Sequence, residues 1–311
     1  MVCEDPTAFP TTLVIDTSYG STVSVVGEEP IHEADSRLHV ERLQPNIAAA
    51  IERAGLEPKD IARIVVGTGP APFTGLRAGI VAAKALAFAL DAQLLGQDVL
   101  EPQAVWQAER RLRADGGVAA EYRHLVLAVN DARRRQLYYR LYESVIEPTD
   151  ASGLAKAGLP RPIGDMDIAY PNDIVERTNA IVSDMLGEDD RPIVVDVIGH
   201  GVEKYASAWL NLIRRGELID DSVLHGAGVE GPILFARTAE RHHVDGDECP
   251  SEPLYLRRPD VSVPNPLKHV LNHGGADRAG SDRAGSDRAG SDRAGADHGA
   301  DRVAAEGEGG R

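Results

Sequence analysis

Short apolar runs alternate with amphipathic stretches along most of this chain. Residues 11–26 hold two apolar runs joined by a polar turn, which predicts a β-hairpin. Residues 35–53 repeat apolar side chains at nearly helical spacing ahead of Gly55, which predicts an amphipathic helix. The elements predicted next are a strand at 61–66, an Ala-rich helix at 78–95, a strand at 94–100 and a helix at 101–114.

The second part of the chain repeats the pattern of the first. Residues 125–142 again read as an apolar strand, an aspartate (Asp131), a polar turn and a returning strand, about 115 residues after Asp16. We therefore predict an α/β fold with two related lobes from a duplicated domain; two unrelated hairpins remain the alternative. Further predictions are a loop at 147–165, a strand at 191–198, a helix at 233–241 and an extended segment from Pro253.

These patterns predict four regions. They are a leader at residues 1–10, a first lobe at 11–120, a second lobe at 121–260 and a low-complexity tail at 261–311. From Gly274 the tail cycles through RAGSD without apolar anchors, so we expect it to be disordered.

Composition narrows the class of function. The 311 residues carry a formal net charge of −16, so long-range repulsion disfavours direct binding of nucleic acid. The start of the chain lacks a basic region followed by an apolar one, and charged residues interrupt the longest apolar run, so we expect a cytoplasmic protein. The two cysteines, Cys3 and Cys249, have neither disulfide-framework nor zinc-site spacing.

The segment GTGPAPFTGLR, residues 67–77, is the first candidate site. Glycines after a strand and before a helix let backbone N–H groups approach an anion, so Gly67, Gly69 and Gly75 are candidate phosphate-binding residues. The segment matches neither the P-loop nor the GxGxxG pattern. Arg77, expected at the first position of the helix, either faces a phosphate or holds the loop's own carbonyl groups.

Asp16 and Thr17 are the second candidate site. A carboxylate and hydroxyl groups at a hairpin turn can face phosphates or Mg²⁺, although a simple hydrogen-bonded aspartate turn is the alternative. His39 could be a base or a surface residue, and no histidine or cysteine lies three or four residues from it to complete a metal pair. The sequence has no GxSxG motif and does not by itself define a Ser/His/Asp triad.

Five segments together resemble one known family. IDTSxxxxxSV at 15–25, HVERLQP at 39–45, GTGPAPFTGLRAGI at 67–80, NDARRRQLYY at 130–139 and PLYLR at 253–257 are similar to the bacterial TsaB (YeaZ) proteins. The resemblance covers roughly residues 11–260 and implies an actin-like ATPase (ribonuclease H-like) fold with two lobes.

The resemblance also implies a function. It implies a non-catalytic scaffold subunit of the complex that transfers threonylcarbamoyl to adenosine 37 of tRNAs reading codons that begin with A. The implied partners are a TsaD-like catalytic subunit, a TsaE-like ATPase and a second copy of the chain. It implies tRNA contact only through the complex, no membrane and no cofactor required by this chain, and it leaves ATP or ADP at the complex interface open.

Positions carried over from the family give an expected partner interface on the first lobe. Its residues would be His39, Leu43, Arg77, Ile80, Ala83 and Lys84. No catalytic or metal-binding residue is expected, because residues 98–107 lack the HxxxH pair of the catalytic paralogue. The chain departs from the family at Ala71 and Pro72, where Gly-Ser is usual, and Pro72 has no N–H to donate.

Two other functions stay open at this point. One is an actin-like kinase or ATPase for a small molecule, with Asp16 and the glycine loop at the phosphates. The other is a hydrolase that uses His39.

Overall fold

The computed structural model describes residues 10–35, 39–116, 122–147, 156–187, 191–247 and 249–257. The predicted disordered tail, 261–311, and all of the predicted leader except Pro10 lie outside these residues.

Lobe 1 is a five-stranded sheet with three helices. In chain order its elements are β1 (Thr12–Asp16), β2 (Ser21–Val25), β3 (Ile31–Glu33), α1 (His39–Arg53), β4 (Arg63–Gly67), α2 (Phe73–Leu90), β5 (Gln93–Gln97) and α3 (Glu101–Ala114). The strand order is β3-β2-β1-β4-β5. The first three strands pair antiparallel and the last three pair parallel.

Lobe 2 contains a second five-stranded sheet. Its elements are β6 (Arg123–Asp131), β7 (Leu137–Glu143), β8 (Ile146–Glu147), β9 (Lys156–Ala157), β10 (Arg161–Ala169), α4 (Pro171–Met185), β11 (Ile193–Gly199), α5 (Ala206–Trp209), β12 (Arg215–Ile219), α6 (Val223–Gly226) and α7 (Glu230–Val244). The main sheet has the order β10-β7-β6-β11-β12, and β8 pairs with β9 separately.

The two main sheets have the same topology. In each, a three-stranded antiparallel meander is followed by a helix and two parallel strands. Parallel neighbours need a crossover, and both sheets supply one through the helix before β4 or β11. The prediction of two related α/β lobes is confirmed, and two unrelated hairpins do not explain this match.

The lobes share one apolar core around α3. Val14 and Val65 of the first sheet and Val126 and Ile198 of the second belong to the same buried cluster, with Trp106 of α3 between them. Nine of the fourteen residues of α3 are buried, so this helix is enclosed on most sides. The two lobes are therefore packed together through α3.

Two predicted boundaries need correction. The Ala-rich helix begins at Phe73 instead of residue 78 and ends at Leu90, because Asp91 takes a left-handed conformation with φ of 53°. The loop predicted at 147–165 contains β8, β9 and the start of β10. Strand β10 is a half-exposed edge strand whose sequence, RPIGDMDIA, lacks the apolar alternation that signals a strand.

By length and composition alone, α2 is the one described helix that is apolar enough to cross a membrane. In the structure its inner face packs on the first sheet, through Leu76, Ile80 and Ala83. Arg77 and Lys84 also lie within it.

Candidate functional site

The glycine segment forms a tight connection whose backbone is engaged by neighbouring chain. The N–H of Thr68 donates to the carbonyl of Gln97 at 2.8 Å, and its carbonyl accepts from the N–H of Leu254 at 2.8 Å. Position 69 requires glycine, because its φ of +93° is a conformation that residues with a side chain rarely adopt. The segment therefore aims α2 and is covered by the stretch from Cys249 to Arg257.

That C-terminal stretch also joins the lobes. Tyr255 packs on Phe73 with ring centroids 4.9 Å apart. The guanidinium of Arg257 donates to the carbonyl of Ala132 in lobe 2 at 3.1 Å. This explains why PLYLR, far away in sequence, accompanies the glycine segment.

Two of the predicted phosphate-site residues lie elsewhere than expected. Gly75 and Arg77 belong to the first two turns of α2 and not to the loop, because the helix begins at Phe73. The Arg77 guanidinium lies over the Phe73 ring, 4.8 Å from its centroid, and is exposed. The expectation that Arg77 opens the helix is wrong.

Asp16 and Thr17 are held in a closed turn. Asp16 accepts hydrogen bonds from the Ser18 hydroxyl at 2.7 Å and the Ser18 N–H at 3.2 Å. A Cβ on Gly67 would lie 2.0 Å from Asp16 Oδ1, and one on Gly79 would lie 2.3 Å from Thr17 Oγ1. Burial raises the pKa of Asp16 against the effect of the Ser18 hydrogen bonds. The glycines thus give room for the turn itself.

The cleft between the lobes is nearly filled. Its cavity has a volume of about 20 Å³ and is lined by Asp16, Tyr19, Asn130 and His200 among others. Such a volume holds about one water molecule. A nucleotide would enter this cleft only after the lobes had separated.

Three histidines and Tyr19 close the same cleft. Tyr19 of lobe 1 stacks on His200 of lobe 2 with centroids 3.7 Å apart, and His225 lies 4.9 Å from His200 and 4.6 Å from His32. Burial lowers the pKa of His200 to about 4 and that of His225 to about 3. These rings are neutral packing groups at pH 7, a role that the sequence did not reveal.

Residues 98–107 hold a buried acidic pair where the paralogue's histidines would lie. Asp98 accepts hydrogen bonds from the backbone N–H groups of Leu100 and Glu101 and so caps α3. Burial, together with the charge of Glu101, raises the pKa of Asp98 to about 7. His242 lies 2.7 Å from Glu101, and that hydrogen bond helps to raise the His242 pKa to about 9.

Among the described residues, no three His, Cys, Asp or Glu side chains are grouped so as to hold a metal ion.

The predicted partner-interface residues separate into two groups. Leu43, Ile80 and Ala83 are 2%, 3% and 0% exposed and pack in lobe 1's own core, so the prediction that they contact a partner is corrected. Arg77 is exposed, and Lys84 is half-buried and paired with Glu252. His39 is the first residue of α1, and its side chain lies outside the description.

The opposite face of α2 carries an apolar surface whose residues the predicted interface did not include. Val81 and Phe88 are 63% and 92% exposed, Ala85 is exposed, and Ala78 is half-buried. We call Ala78, Val81, Ala85 and Phe88 the outer stripe. Their spacing of three, four and three residues is that at which one helix presents a seam to another, but α2 is apolar on both faces, so the spacing did not show which face is exposed.

The two-lobed α/β architecture is that of the actin-like ATPase fold. In this structure the cleft between its lobes is closed.

Comparison with known proteins shows which proteins the chain resembles. The family model described as TsaD, tRNA N6-adenosine threonylcarbamoyltransferase, matches residues 31–155. The tRNA threonylcarbamoyladenosine biosynthesis protein TsaB of Bacillus subtilis is 29% identical over 262 residues, which cover 79% of this chain and 94% of that protein.

Other relatives agree over shorter segments. An uncharacterized protein of Mycobacterium tuberculosis is 41% identical over 108 residues, 35% of this chain and only 44% of the relative's own length. A solved structure of YeaZ from Pseudomonas aeruginosa has a TM-score of 0.51 at 24% identity and is matched over its full length by 80% of this chain, which supports the fold. The chain is thus similar to the TsaB (YeaZ) proteins, as its sequence motifs indicated.

Proposed function

We propose that this chain is a non-catalytic subunit of the machinery that adds threonylcarbamoyl to adenosine 37 of tRNAs reading codons that begin with A. It would act in the cytoplasm by binding a TsaD-like catalytic subunit. The names of its relatives support the pathway: B. subtilis TsaB is a tRNA threonylcarbamoyladenosine biosynthesis protein, and the matching family model describes the transferase.

The outer stripe of α2 is the observation that carries the proposal. A phenylalanine that is 92% exposed, in line with an exposed valine and two alanines, is an apolar face without an intramolecular partner among the described residues. The small side chains between Val81 and Phe88 allow a second helix to approach closely, and an aromatic residue supplies most of the binding energy in such contacts. We therefore place the partner's helix along α2.

The same stripe accounts for the other proposed partners. Two copies of the chain would pair through it when the TsaD-like subunit is absent, because an apolar face can complement itself around a two-fold axis. A TsaE-like ATPase would join the heterodimer afterwards. The charge of −16 leaves tRNA contact to the other subunits.

The closed cleft supports the non-catalytic part of the proposal. A cavity of about 20 Å³ between the lobes, with two glycines packed on Asp16 and Thr17, is too small for a nucleotide in this cleft. We propose that the chain requires no cofactor of its own and that any ATP or ADP binds at the interface of the complex. The alternative, an actin-like kinase or ATPase, requires the cleft to open.

Reconstitution tests the proposal. The purified chain should show no threonylcarbamoyl transfer alone, and transfer should appear when a TsaD-like protein, a TsaE-like protein and tRNA are added. Phe88→Glu should abolish this restoration, because it places a charge in the apolar contact. Val244→Glu is the matched control, since Val244 is 75% exposed on α7 of lobe 2 and should be tolerated.

Two results would contradict the proposal. Transfer by the chain alone would show that it is catalytic, and full restoration by Phe88→Glu would show that the partner binds elsewhere. Calorimetric titration of the isolated chain with Mg-ATP addresses the kinase alternative, which tight binding with turnover would favour.

A further inference from the structure

A second, larger pocket lies on lobe 2, at the edge where β6 and β7 meet the last turns of α3. It has a volume of about 240 Å³, is partly open to solvent, and is lined by Arg111, Tyr122, Arg123, His124, Ser144 and Arg191 among others. None of these residues belongs to the cleft between the lobes or to α2. The proposed scaffold function gives this pocket no role.

Two side chains of this pocket, Ser144 and His124, form a hydrogen-bonded chain with the buried Asp196. Ser144 Oγ lies 2.9 Å from His124 Nδ1, and His124 Nε2 lies 2.9 Å from Asp196 Oδ2. Asp196 is completely buried, His124 is 8% exposed and Ser144 is half-buried at the pocket wall. The order is hydroxyl, imidazole and carboxylate, with the hydroxyl on the pocket side.

The carboxylate sets the proton positions in this chain. Asp196 also accepts two hydrogen bonds from the Arg111 guanidinium at 2.6 and 2.7 Å and one from the backbone N–H of Glu217 at 2.7 Å. Burial opposes ionisation, but the hydrogen bonds from His124 and Arg111 hold the pKa of Asp196 well below its usual range. An ionised carboxylate only accepts, so the tautomer of His124 that fits both contacts carries its proton on Nε2, and its Nδ1 then accepts from the Ser144 hydroxyl.

This arrangement is that of an activated nucleophile. A hydroxyl becomes a good nucleophile when an adjacent base takes its proton and a third group orients the base. Ser144 directly follows β7, His124 lies near the start of β6, and Asp196 lies in the middle of β11. Because they are far apart in sequence, no sequence motif indicated them. Parallel pairing of Val194 with His124 brings β11 beside β6.

We propose that Ser144 accepts an acyl group from a small carboxylic ester bound in this pocket, with His124 as general base and Asp196 as the residue that orients His124. The pocket wall carries charges of both signs, because Asp115 and Glu143 line it together with Arg111, Arg123 and Arg191. Arg111 is bound to Asp196 and Arg123 to Glu143, so the wall is polar without selecting for an anion.

The steps balance without an added cofactor. Ser144 Oγ bonds to the ester carbonyl carbon while its proton moves to His124 Nδ1, and the carbon–oxygen bond to the leaving alcohol breaks as His124 returns the proton to that alcohol. Water then attacks the acyl-serine, its proton passing through His124 to Ser144, and releases the carboxylic acid. The net reaction is hydrolysis of the ester.

Covalent labelling tests the nucleophile. Diisopropyl fluorophosphate should modify the full chain on Ser144, with fluoride leaving, as read by mass spectrometry of the peptide. Ser144→Ala should abolish the modification, and His124→Gln, which keeps a side chain able to form hydrogen bonds, should slow it by about 100-fold or more. Ser251→Ala is the control, because Ser251 is also half-buried but has no recorded histidine contact.

Hydrolysis tests the substrate class. The chain should hydrolyse 4-nitrophenyl acetate, and Ser144→Ala should lose this activity. Labelling that is absent, that persists in Ser144→Ala or that is as fast in His124→Gln as in the unmodified chain would overturn the proposal. Binding of the TsaD-like partner by Ser144→Ala should remain unchanged, so this test is separate from that of the scaffold function.

Discussion

The helix that follows the first parallel strand differs greatly between the two lobes. In lobe 1 this position, between β4 and β5, is occupied by α2, with 18 residues. In lobe 2 the same position, between β11 and β12, is occupied by a single 3-10 turn and α5, which has four residues. One domain type has therefore kept a long helix in one copy and only a remnant in the other.

The aromatic residues of these helices point in opposite directions. Trp209 of α5 is completely buried, and its indole N–H donates to the carbonyl of Val202 at 2.9 Å. Phe88 of α2 is 92% exposed. Lobe 2 uses its aromatic residue to complete its own core, whereas lobe 1 leaves Phe88 exposed. The contrast locates the proposed interaction surface on lobe 1.

The aspartates at equivalent strand ends differ as well. Asp16, at the end of β1, is 5% exposed and bonds only within its own turn among the recorded contacts. Asp131, at the end of β6, pairs with Lys204 at 2.8 Å. The two carboxylates at equivalent strand ends therefore have different partners, one within its own turn and the other across to a lysine.

The largest expected effect on the free energy of unfolding comes from replacing Trp209 by alanine, with Phe88→Ala as the comparison. Trp209→Ala should lower the free energy of unfolding by about 4 kcal/mol, because it leaves a large cavity in lobe 2. Phe88→Ala should change it by less than about 0.5 kcal/mol, because the ring contacts mainly solvent in the lone chain. Urea denaturation of the lone chain measures both. Equal losses would break the comparison between the helices.

The next effect concerns a buried carboxylate that β11 carries and its counterpart β4 lacks. Strand β11 carries Asp196, whereas its counterpart β4, RIVVG, carries no acid. Arg111→Ala should cost about 3 kcal/mol, because it removes a two-point partner from a fully buried carboxylate. Arg113→Ala is the control on the same helix and should cost about 0.5 kcal/mol or less, since its side chain is 58% exposed.

A smaller effect is a loss of stability in mild acid. His200 and His225, with pKa values lowered to about 4 and about 3, bind fewer protons in the folded chain than in the unfolded chain. Their contribution is complete above the unfolded pKa of about 6.5 and decreases as the pH falls towards those values, by about 2 kcal/mol for each histidine between pH 7 and pH 5.

Denaturation midpoints measured across this range provide the check. The double variant His200→Phe and His225→Phe should lose that part of the pH dependence, because phenylalanine keeps the ring packing without a titratable group. A double variant with the same slope as the unmodified chain would show that other groups cause the acid sensitivity.

The smallest effect is expected at the aspartate of lobe 2. Asp131→Asn should cost about 0.5 kcal/mol, because its partner Lys204 is 52% exposed and such ion pairs contribute little. High salt should reduce even this difference. A loss above about 2 kcal/mol in the free energy of unfolding would mean that Asp131 stabilises the fold by more than its ion pair with Lys204.

Local patterns in the sequence predicted most of lobe 1 and the duplication. The β1–β2 hairpin, α1, β4 and α3 lie where apolar periodicity placed them, because their inner faces are built from regularly spaced apolar residues. Strand β10 was missed, since an edge strand that is half-exposed carries no strong alternation. The start of α2 was placed too late because glycine and proline around Phe73 suggested a loop.

The sites were harder to predict than the fold. Periodicity showed that α2 is apolar but did not distinguish inward-facing Ile80 and Ala83 from outward-facing Val81 and Phe88, which requires knowing where the sheet lies. In the Ser144–His124–Asp196 chain, Ser144 and His124 are 20 residues apart in sequence, and His124 and Asp196 are 72 residues apart. Only strand pairing brings them together. Such contacts are set by the tertiary fold and leave no local signature.

The most direct test of the central claim is a calorimetric titration of the chain with a purified TsaD-like subunit. The account predicts that the unmodified chain and Val244→Glu bind with equal affinity, whereas Phe88→Glu binds at least about 30-fold more weakly, the loss expected when a buried aromatic anchor is removed. Unchanged affinity for Phe88→Glu, in a variant that retains its denaturation midpoint, would contradict the claim that the outer stripe of α2 is the partner surface.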